Sequence, residues 1–328
     1  MSCVHSGDGN ADRIGSFDRR SSGCAGEQAS LEENRDEDVQ KATRGEEVVA
    51  WMARESAGPS GADSRGVVDR KYFPGELVMS PGTVEQPKVV SEAEWIEARK
   101  ELLLKEKALT RQRDALAEER RKLPWVKVDK NYVFLTAGGE KTLGELFGGK
   151  SQLVLYHFML GPEWEQGCPS CSLLGDHLDG MGIHLAVRDV RLMIVSRAPL
   201  EKIDAFRKRM GWKFPWVSSY GSEFNFDFGV SVPKEDVGKE VIYNYNLSKF
   251  PSDERPGLSV FYKNANGEVF HTYSMYARGL EDLLGVYVIL DRVPKGRDEA
   301  GLTHGMAWVR HHDRYPESNI VELKSAKG

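Results

Sequence analysis

Two cysteines separated by two residues follow an apolar stretch and stand at the start of a predicted helix. Residues 153–158 are almost wholly apolar and lack the alternation of a strand with one face in water, which is typical of a buried parallel strand. A loop follows, and then Cys168, Pro169 and Cys171. Proline is favoured in the first turn of a helix, where its missing N–H costs nothing. The sequence therefore predicts a buried strand that leads into a helix with two thiols in its first turn.

The position of the two thiols favours disulfide chemistry. The unpaired N–H groups and the dipole at a helix N-terminus stabilise a thiolate, so Cys168 is the predicted attacking group. Cys171 lies three residues on, roughly 300° around the helix axis, and can resolve a mixed disulfide. A strand that delivers such a pair to a helix is typical of a thioredoxin-type redox site. Zinc ligation, which needs two further ligands, and a pair without turnover remain alternatives.

Four polar residues near the pair are candidates for a supporting role. The first interpretation of His157, which lies inside the apolar strand, is a core histidine with a satisfied hydrogen bond. The alternative is that His157 or Asp176 moves a proton to or from Cys171. The serines of the motif complete the predicted site: Ser170 and Ser172.

A peroxidase site is ranked below a general disulfide reductase. Peroxiredoxins carry a motif similar to P-x-x-x-T-x-x-C around the nucleophilic cysteine. Here Glu165 stands three residues before Cys168, in the position of the threonine. Pro162 stands six residues before Cys168, whereas the motif has its proline seven residues before the cysteine. The hydroxyl group that would help to bind a peroxide is therefore missing.

The remainder of this region alternates between predicted strands and helices. That order implies right-handed crossovers and a parallel core. The predicted fold class is α/β, a thioredoxin-like three-layer sandwich with an added N-terminal helix and a C-terminal extension. The predicted elements are a strand at 190–195, a helix at 199–210, an insertion at about 233–257, a hairpin at 258–262 and 269–273, a helix at 280–290 and a strand within 306–313.

A long helix is predicted ahead of the cysteine region, over residues 88–125. Ser91 and Glu94 form a capping box, and no glycine or proline follows until Pro124. Apolar residues recur every seven positions, but the positions that would complete a coiled-coil seam are mostly polar. The favoured interpretation is a solvated helix that packs one narrow stripe on its own domain or on a partner. A homodimer through residues 91–123 is the alternative.

Composition places limits on the other classes of function. The formal charge of −5 and pI near 6.0 argue against a nucleic-acid surface. The four cysteines are too few for a disulfide scaffold, and no signal peptide or membrane span is evident, so we expect a cytoplasmic protein without a membrane partner. Residues 1–87 are predicted to be a disordered leader, 126–316 the thioredoxin-like domain and 317–328 a flexible tail. No cofactor is expected.

Further motifs resemble one bacterial family. Cys168-Pro169-Ser170-Cys171 with Asp176, together with six other stretches, is similar to the thioredoxin-like bacterial family of unknown function 899. The resemblance runs from about residue 91 to 315, so it includes the long helix and leaves out the leader. It implies a thioredoxin-like fold and brings no established reaction. The other stretches are residues 184–190, 195–199, 211–219, 256–262, 269–274 and 294–299.

The sequence departs from thioredoxin at several points. A loop separates the strand from the cysteines, and Pro-Ser replaces Gly-Pro between them. Thioredoxin-like folds place a cis-proline opposite the dithiol, and Pro256 fits this position, so the Arg255–Pro256 bond is expected to be cis. Gly257 stands where a threonine is usual. The resulting hypothesis is a thiol–disulfide oxidoreductase that acts on a protein or small-molecule disulfide; the alternative is a non-catalytic interaction protein, and a peroxidase or zinc protein ranks lower.

Overall fold

The computed structural model describes residues 87–316. The leader predicted over residues 1–87, apart from its last residue, and the tail at 317–328 lie outside this range. Within it, no helix combines the length and apolar content required to cross a lipid bilayer. The helices are α1 Glu92–Arg121, α2 Leu143–Leu146, α3 Pro169–Leu178, α4 Met181–Val187, α5 Leu200–Arg209, α6 Phe224–Asp227 and α7 Gly285–Leu290. The strands are β1 Val126–Lys127, β2 Val133–Thr136, β3 Gly139–Thr142, β4 Gln152–His157, β5 Val190–Ser196, β6 Trp216–Ser218, β7 Glu240–Tyr243, β8 Asn246–Lys249, β9 Gly257–Lys263 and β10 Val269–Tyr276.

Eight of the described strands form one mixed sheet in the order β1-β10-β9-β4-β5-β6-β2-β3. Strands β4, β5 and β6 are parallel, whereas β9 is antiparallel to β4 and β10 is antiparallel to β9. The central four strands, β10-β9-β4-β5, alternate with α3 and α5 along the chain and end in a hairpin followed by α7. This order is that of the thioredoxin-like fold, so the predicted fold class is confirmed.

Strand β4 is buried on both faces of the sheet. On one face, Tyr156 joins the apolar cluster around α3 and α5 that also contains Leu174, Phe206 and Cys171. On the other face, Leu155 packs in a second cluster against residues of β2, α2 and α6. Apolar layers on both sides explain why the sequence of β4 shows no alternation. The end of β4 is thus fixed rigidly where the loop to the cysteine helix begins.

Helix α1 begins where the sequence predicts and is exposed along its whole length. Ser91 caps it, and both hydrogen bonds of the capping box with Glu94 are present. None of its residues is buried. Arg113 reaches Asp282 at 3.7 Å, and the guanidinium of Arg120 lies over the ring of Tyr273. The described contacts of α1 with the domain are therefore made by charged side chains, and packing of its apolar stripe on the domain or on a partner stays a prediction.

The segments between and after the core elements differ from expectation. The insertion at 233–257 contains a short 3₁₀ helix and the hairpin of β7 and β8. The predicted helix at 280–290 is split, because Leu284 leaves the helical region between a 3₁₀ turn and α7. The predicted strand within 306–313 does not form: a turn and an irregular stretch lead into a 3₁₀ helix at His312–Arg314. Trp308 and His311 each make a hydrogen bond there, to Glu299 and to Gly167.

Candidate active site

Cys168 is the residue immediately before α3, at the helix N-cap. Its backbone N–H donates to the carbonyl of Met159 at 3.0 Å, so the loop between β4 and α3 closes on itself. Its carbonyl accepts the N–H and the hydroxyl of Ser172, each at 2.9 Å. Pro169 occupies the first turn, as predicted. Both cysteines of the motif are free thiols; Cys168 is partly exposed and Cys171 is 2% exposed.

The surroundings of Cys168 favour its thiolate. The thiol of Cys171 donates a hydrogen bond to it, and this bond is the largest of the causes that lower the pKa of Cys168 to about 7. Burial opposes the shift, while the N–H groups of Cys171 and Ser170 and the hydroxyl of Ser170 add to it. These donors converge on Cys168 because the first turn of a helix leaves its N–H groups free.

Cys171 is the protonated partner of this pair. Burial raises its pKa far above the usual value, and the neighbouring Cys168 thiolate raises it further. The phenol of Tyr156 and the N–H of Met159 donate to Cys171 and act in the opposite direction. No sequence pattern singles out Tyr156. It precedes His157 in β4, and only its place in the cluster around α3 distinguishes it from its neighbours.

His157 faces away from the dithiol. Successive strand residues point to opposite faces, and the imidazole stacks on Phe224 and Phe228 in the second layer, with ring centroids 5.5 and 6.0 Å away. Its Nε2 lies 2.8 Å from the hydroxyl of Ser259. Burial, and to a lesser degree His271, lower its pKa to about 3. Its Nδ1 is buried and has no hydrogen-bond partner among the described residues. This placement favours the interpretation as a core histidine, with one of its two ring nitrogens bonded, and it does not favour the predicted role of proton carrier for Cys171.

Asp176 is engaged by two side chains from elsewhere in the fold. Its Oδ1 accepts the indole N–H of Trp212 at 2.7 Å and lies 2.7 Å from Nδ1 of His312. Both contacts join α3 to later segments of the chain. The structure thus gives Asp176 an anchoring position and does not bring it into the hydrogen bonds of the dithiol described above.

Pro256 begins the segment that enters β9, and its peptide bond is trans. Cis bonds are absent from the described residues, so the expectation for Arg255–Pro256 is wrong. The N–H of Arg255 donates to the carbonyl of Val230 at 2.8 Å. This hydrogen bond holds the chain in an extended conformation, and the trans peptide bond continues that conformation into Pro256. The phenol of Tyr243 donates to the carbonyl of Pro256 at 2.7 Å. Tyr243 also lies within electrostatic reach of Cys171, so the proline loop borders the dithiol through this side chain.

Glycine at position 257 follows from packing. A Cβ atom added there would lie 2.7 Å from the ring of Tyr276 and 2.9 Å from the side chain of Val230. Neither distance is compatible with a side chain unless the neighbours move. The threonine usual at this position therefore has no room in this protein.

The loop between β4 and α3 is held from two sides. The indole N–H of Trp164 donates to Asp253 at 3.2 Å, and Asp253 also pairs with Arg197. Arg197 in turn donates to the buried Glu254 at 2.6 Å. Burial raises the pKa of Glu254 to about 7, and the charge of Arg197 opposes the rise. The inserted loop is therefore tied to the segment that leads into Pro256.

His311 reaches the motif from the far end of the chain, a contact that no sequence pattern predicts. It is buried, and its Nε2 lies 2.8 Å from the carbonyl of Gly167, the residue before Cys168. Arg209 can only donate, and its Nη2 lies 3.2 Å from Nδ1 of His311. The proton of the neutral ring therefore sits on Nε2 and is donated to Gly167. The tandem with His312 gave no signal of this role.

No metal-binding group accompanies the dithiol in the described part of the chain. Across residues 87–316, no three or more His, Cys, Asp or Glu side chains are arranged to hold a metal ion. The site thus combines a partly exposed thiol, Cys168, whose pKa is about 7, with a buried thiol, Cys171, next to it.

The strand order and the placement of the two cysteines define a thioredoxin-like protein with a Cys-Pro-Ser-Cys motif at the N-terminus of its first core helix. The chain belongs to the family of bacterial proteins of unknown function DUF899, whose model matches residues 84–315. The resemblance stated from the motifs is thereby confirmed. No curated protein matches the chain.

Solved structures similar to the chain include peroxiredoxins. A cysteine mutant of PrxQ from Xylella fastidiosa is 16% identical, with a TM-score of 0.33, over 50% of this chain and 94% of that one. A mutant of peroxiredoxin Q from Xanthomonas campestris is 20% identical, with a TM-score of 0.34, over 48% and 90%. Peroxidoxin BcpB from Mycobacterium tuberculosis is 14% identical, with a TM-score of 0.34, over 50% and 94%.

Proposed function

We propose that the protein is a thiol–disulfide oxidoreductase in which Cys168 is the nucleophile and Cys171 the resolving thiol. The observation that carries the proposal is the asymmetry of the pair. The partly exposed Cys168 has its pKa lowered to about 7, whereas the buried Cys171 keeps its proton. A thiolate available at neutral pH and a second thiol within hydrogen-bond reach are what two successive exchanges at one sulfur require.

The first step forms a mixed disulfide. The Cys168 thiolate attacks one sulfur of a substrate disulfide, a new S–S bond forms, and the other substrate sulfur leaves as a thiolate. Cys168 then no longer carries a negative charge. Both contributions of Cys168 to the raised pKa of Cys171, its hydrogen bond and its charge, are thereby removed, and only burial still raises this pKa. The proton passes to the departing thiolate or to solvent.

The second step releases the product. The Cys171 thiolate, which Tyr156 and the N–H of Met159 stabilise by donating to it, attacks the sulfur of Cys168. The mixed disulfide breaks and the second substrate thiolate leaves. The substrate has gained two electrons and the protein holds a Cys168–Cys171 disulfide. An external dithiol returns the pair to the reduced form by the same exchange in reverse.

The supporting residues hold this geometry. Pro169 and Ser172 fix the first turn of α3, Ser170 donates to the thiolate, and Pro256 borders the pair through Tyr243. We do not propose a peroxidase, since Glu165 provides no hydroxyl donor three residues before the nucleophile.

A single-turnover experiment tests the proposal. Cys3 and Cys24 are replaced by serine, and the reduced protein is mixed with 5,5′-dithiobis(2-nitrobenzoate). We expect two aromatic thiolates per chain and an internal disulfide. Cys171→Ser should release one and keep a stable adduct on Cys168, and Cys168→Ser should react slowly.

With insulin as substrate, the absence of turnover by the native protein with every dithiol donor tried would exclude the oxidoreductase. Metal analysis of the purified protein tests the zinc alternative separately.

The second candidate is a non-catalytic thioredoxin-like interaction protein. The observation that favours it is the exposed apolar row on α1, which no catalytic step uses. Partner binding by the Cys168→Ser variant distinguishes the two candidates, because an interaction protein would still bind its partner after this replacement.

A further inference from the structure

Helix α1 carries one row of large apolar side chains that no described residue covers. Its members are spaced by seven residues and are between 45% and 58% exposed: Trp95, Leu102, Leu109, Leu116 and Leu123. Soluble monomers seldom leave a contiguous apolar row of this length in water, and such rows mark interaction surfaces. From Trp95 to Leu116 the row runs 21 residues, or about 32 Å along the helix, and Leu123 stands two residues past the helix end.

We propose that this row pairs with the same row of a second copy of the chain, antiparallel, about a two-fold axis at Leu109. The spacing is symmetric about that residue. An antiparallel copy centred there places Trp95 opposite Leu123 and Leu102 opposite Leu116, so every member of the row meets another. A two-fold interface of this kind is self-complementary, as closed dimers require.

The charges of α1 select the antiparallel orientation. Its first fifteen residues contain five acidic and three basic side chains, and its last fifteen contain five basic and three acidic. A parallel copy would set like-charged halves side by side, whereas an antiparallel copy sets the acidic half against the basic half. The helix dipole favours acidic side chains at the N-terminus and basic ones at the C-terminus. The charge distribution of α1 therefore stabilises the isolated helix as well as the antiparallel pair.

A cavity lies where the proposed partner's first half would arrive. Its volume is about 570 Å³, and Leu123 lines it together with Tyr245, Tyr273 and Met275. In the antiparallel register, the partner's Trp95 meets Leu123 at the mouth of this cavity. Trp95 is 58% exposed in the single chain, and an aromatic wall is a favourable surface for an indole ring. The dimer would thus contain two such contacts, one at each end of the helix pair.

The attachment of α1 to its own domain leaves room for the partner. Arg113 and Arg120, both in the second half of the helix, make the side-chain contacts with Asp282 and Tyr273. These contacts set the direction of the helix without covering its apolar row. A second copy would then bury the row along its full length.

The mass of the full-length protein in solution tests the proposal. Light scattering after gel filtration at about 50 µM should give twice the 36.8 kDa of the chain. Leu109→Glu sets two carboxylates against each other at the centre of the row and should give the monomer mass. Leu104→Glu is the matched control: Leu104 is 68% exposed on the same helix, roughly 160° from the row, and its replacement should leave the dimer intact.

Three outcomes would overturn the proposal. A wild-type protein of monomer mass at this concentration excludes the second copy, including the case in which the first 86 residues of the same chain cover the row. If Leu109→Glu and Leu104→Glu dissociate the dimer equally, or if neither does, the interface lies elsewhere. Alkylation of Cys168 serves as the folding control, and because α1 takes no part in the dithiol it should proceed at the same rate in every variant.

Cross-linking tests the orientation. Glu94→Cys and Lys122→Cys, prepared as two separate proteins, should form a disulfide when mixed and not when each is oxidised alone. A parallel pair would give the reverse result, with each variant cross-linking to itself. The wild-type cysteines are followed in the same experiment by peptide mass analysis, which identifies the bonded pair.

Discussion

Nε2 of His311 donates a hydrogen bond of 2.8 Å to the carbonyl oxygen of Gly167, the residue that precedes Cys168. The two residues are separated by 144 positions in the chain. Arg209, on α5, holds the other ring nitrogen and also pairs with Asp313 at 2.7 Å. The C-terminal extension is therefore part of the support of the cysteine loop. It fixes the carbonyl on one side of Cys168, while Met159 fixes the N–H on the other.

Replacing His311 by alanine should loosen this loop. The change leaves the buried carbonyl of Gly167 without a donor and opens a cavity, so the free energy of unfolding should fall by about 2–3 kcal/mol. Amide hydrogen exchange of residues 159–168 should become faster. His312→Ala is the matched control, because its side chain is 44% exposed and its partner Asp176 can turn to water. Equal effects of the two replacements would contradict the assignment.

Stability should decrease as the pH falls below 6.5, and His157 should account for a large part of the decrease. Its pKa is about 3 in the fold and about 6.5 when the chain is unfolded. Between these values only the unfolded chain takes up the proton, so each pH unit lost costs about 1.4 kcal/mol. Between pH 6.5 and 5 the native fold should lose about 2 kcal/mol from this residue.

Denaturant unfolding of the wild-type protein and of His157→Gln at both pH values checks this expectation. Glutamine has no titration in this range and can still donate to Ser259. His311, whose pKa is also lowered, is present in both proteins and cancels in the comparison. His271 is present in both as well, and only its weaker interaction with His157 differs between them. Parallel pH profiles for the two proteins would show that His157 is not buried in its neutral form.

The pKa of Cys168 should depend on Ser170 and not on Ser172. Ser170→Ala removes a hydroxyl that donates to the thiolate, and a charge-assisted bond of this kind corresponds to about one pKa unit. The thiolate fraction at pH 7 should fall from about a half to about a tenth. The hydroxyl of Ser172 donates to the carbonyl of Cys168 instead, so Ser172→Ala should cost about 1 kcal/mol of stability and leave the pKa unchanged.

The rate of iodoacetamide alkylation at Cys168 as a function of pH measures both variants. The wild-type profile should have its midpoint near 7, and Cys171 should stay unmodified in the native protein because it is buried. A midpoint that moves equally in the two serine variants would mean that the hydroxyl of Ser170 does not reach the sulfur.

Local sequence signals predicted the frame of the site, and long-range packing decided the rest. The caps at Ser91 and Cys168 depend on neighbours within one helical turn, and both were predicted correctly. The sequence does not show which of Tyr156 and His157 faces the dithiol, because a strand that is apolar on both faces gives no sign of which face meets α3. The contact of His311 has no sequence pattern at all, since it joins two turns far apart in the chain.

Tyr156→Phe should slow the resolving step and leave the first step unchanged. The phenol donates to Cys171, and without it the pKa of Cys171 rises further, so the attacking thiolate becomes scarcer. A loss of about 1.4 kcal/mol of this stabilisation would make the mixed disulfide on Cys168 persist about tenfold longer. Quenched-flow mass analysis of the adduct measures both steps. Tyr132→Phe is the control, because its phenol donates to Asp227 in the second layer.

Gly167→Ala should disturb the site although the change adds a single methyl group. A Cβ atom at this position would lie 2.5 Å from the ring of Phe158 and 2.8 Å from that of Phe206, both buried in the core. The rings must move, and overpacking of this kind costs about 1–3 kcal/mol. Gly182→Ala has open space around it, lies in α4, and should be neutral or stabilise by up to about 1 kcal/mol. Thermal unfolding compares the two. Since Gly167 directly precedes the nucleophile, its variant should also lose disulfide reduction at temperatures where it is still folded, whereas a Gly167→Ala protein with full stability and turnover would mean that the loop does not pass between these rings.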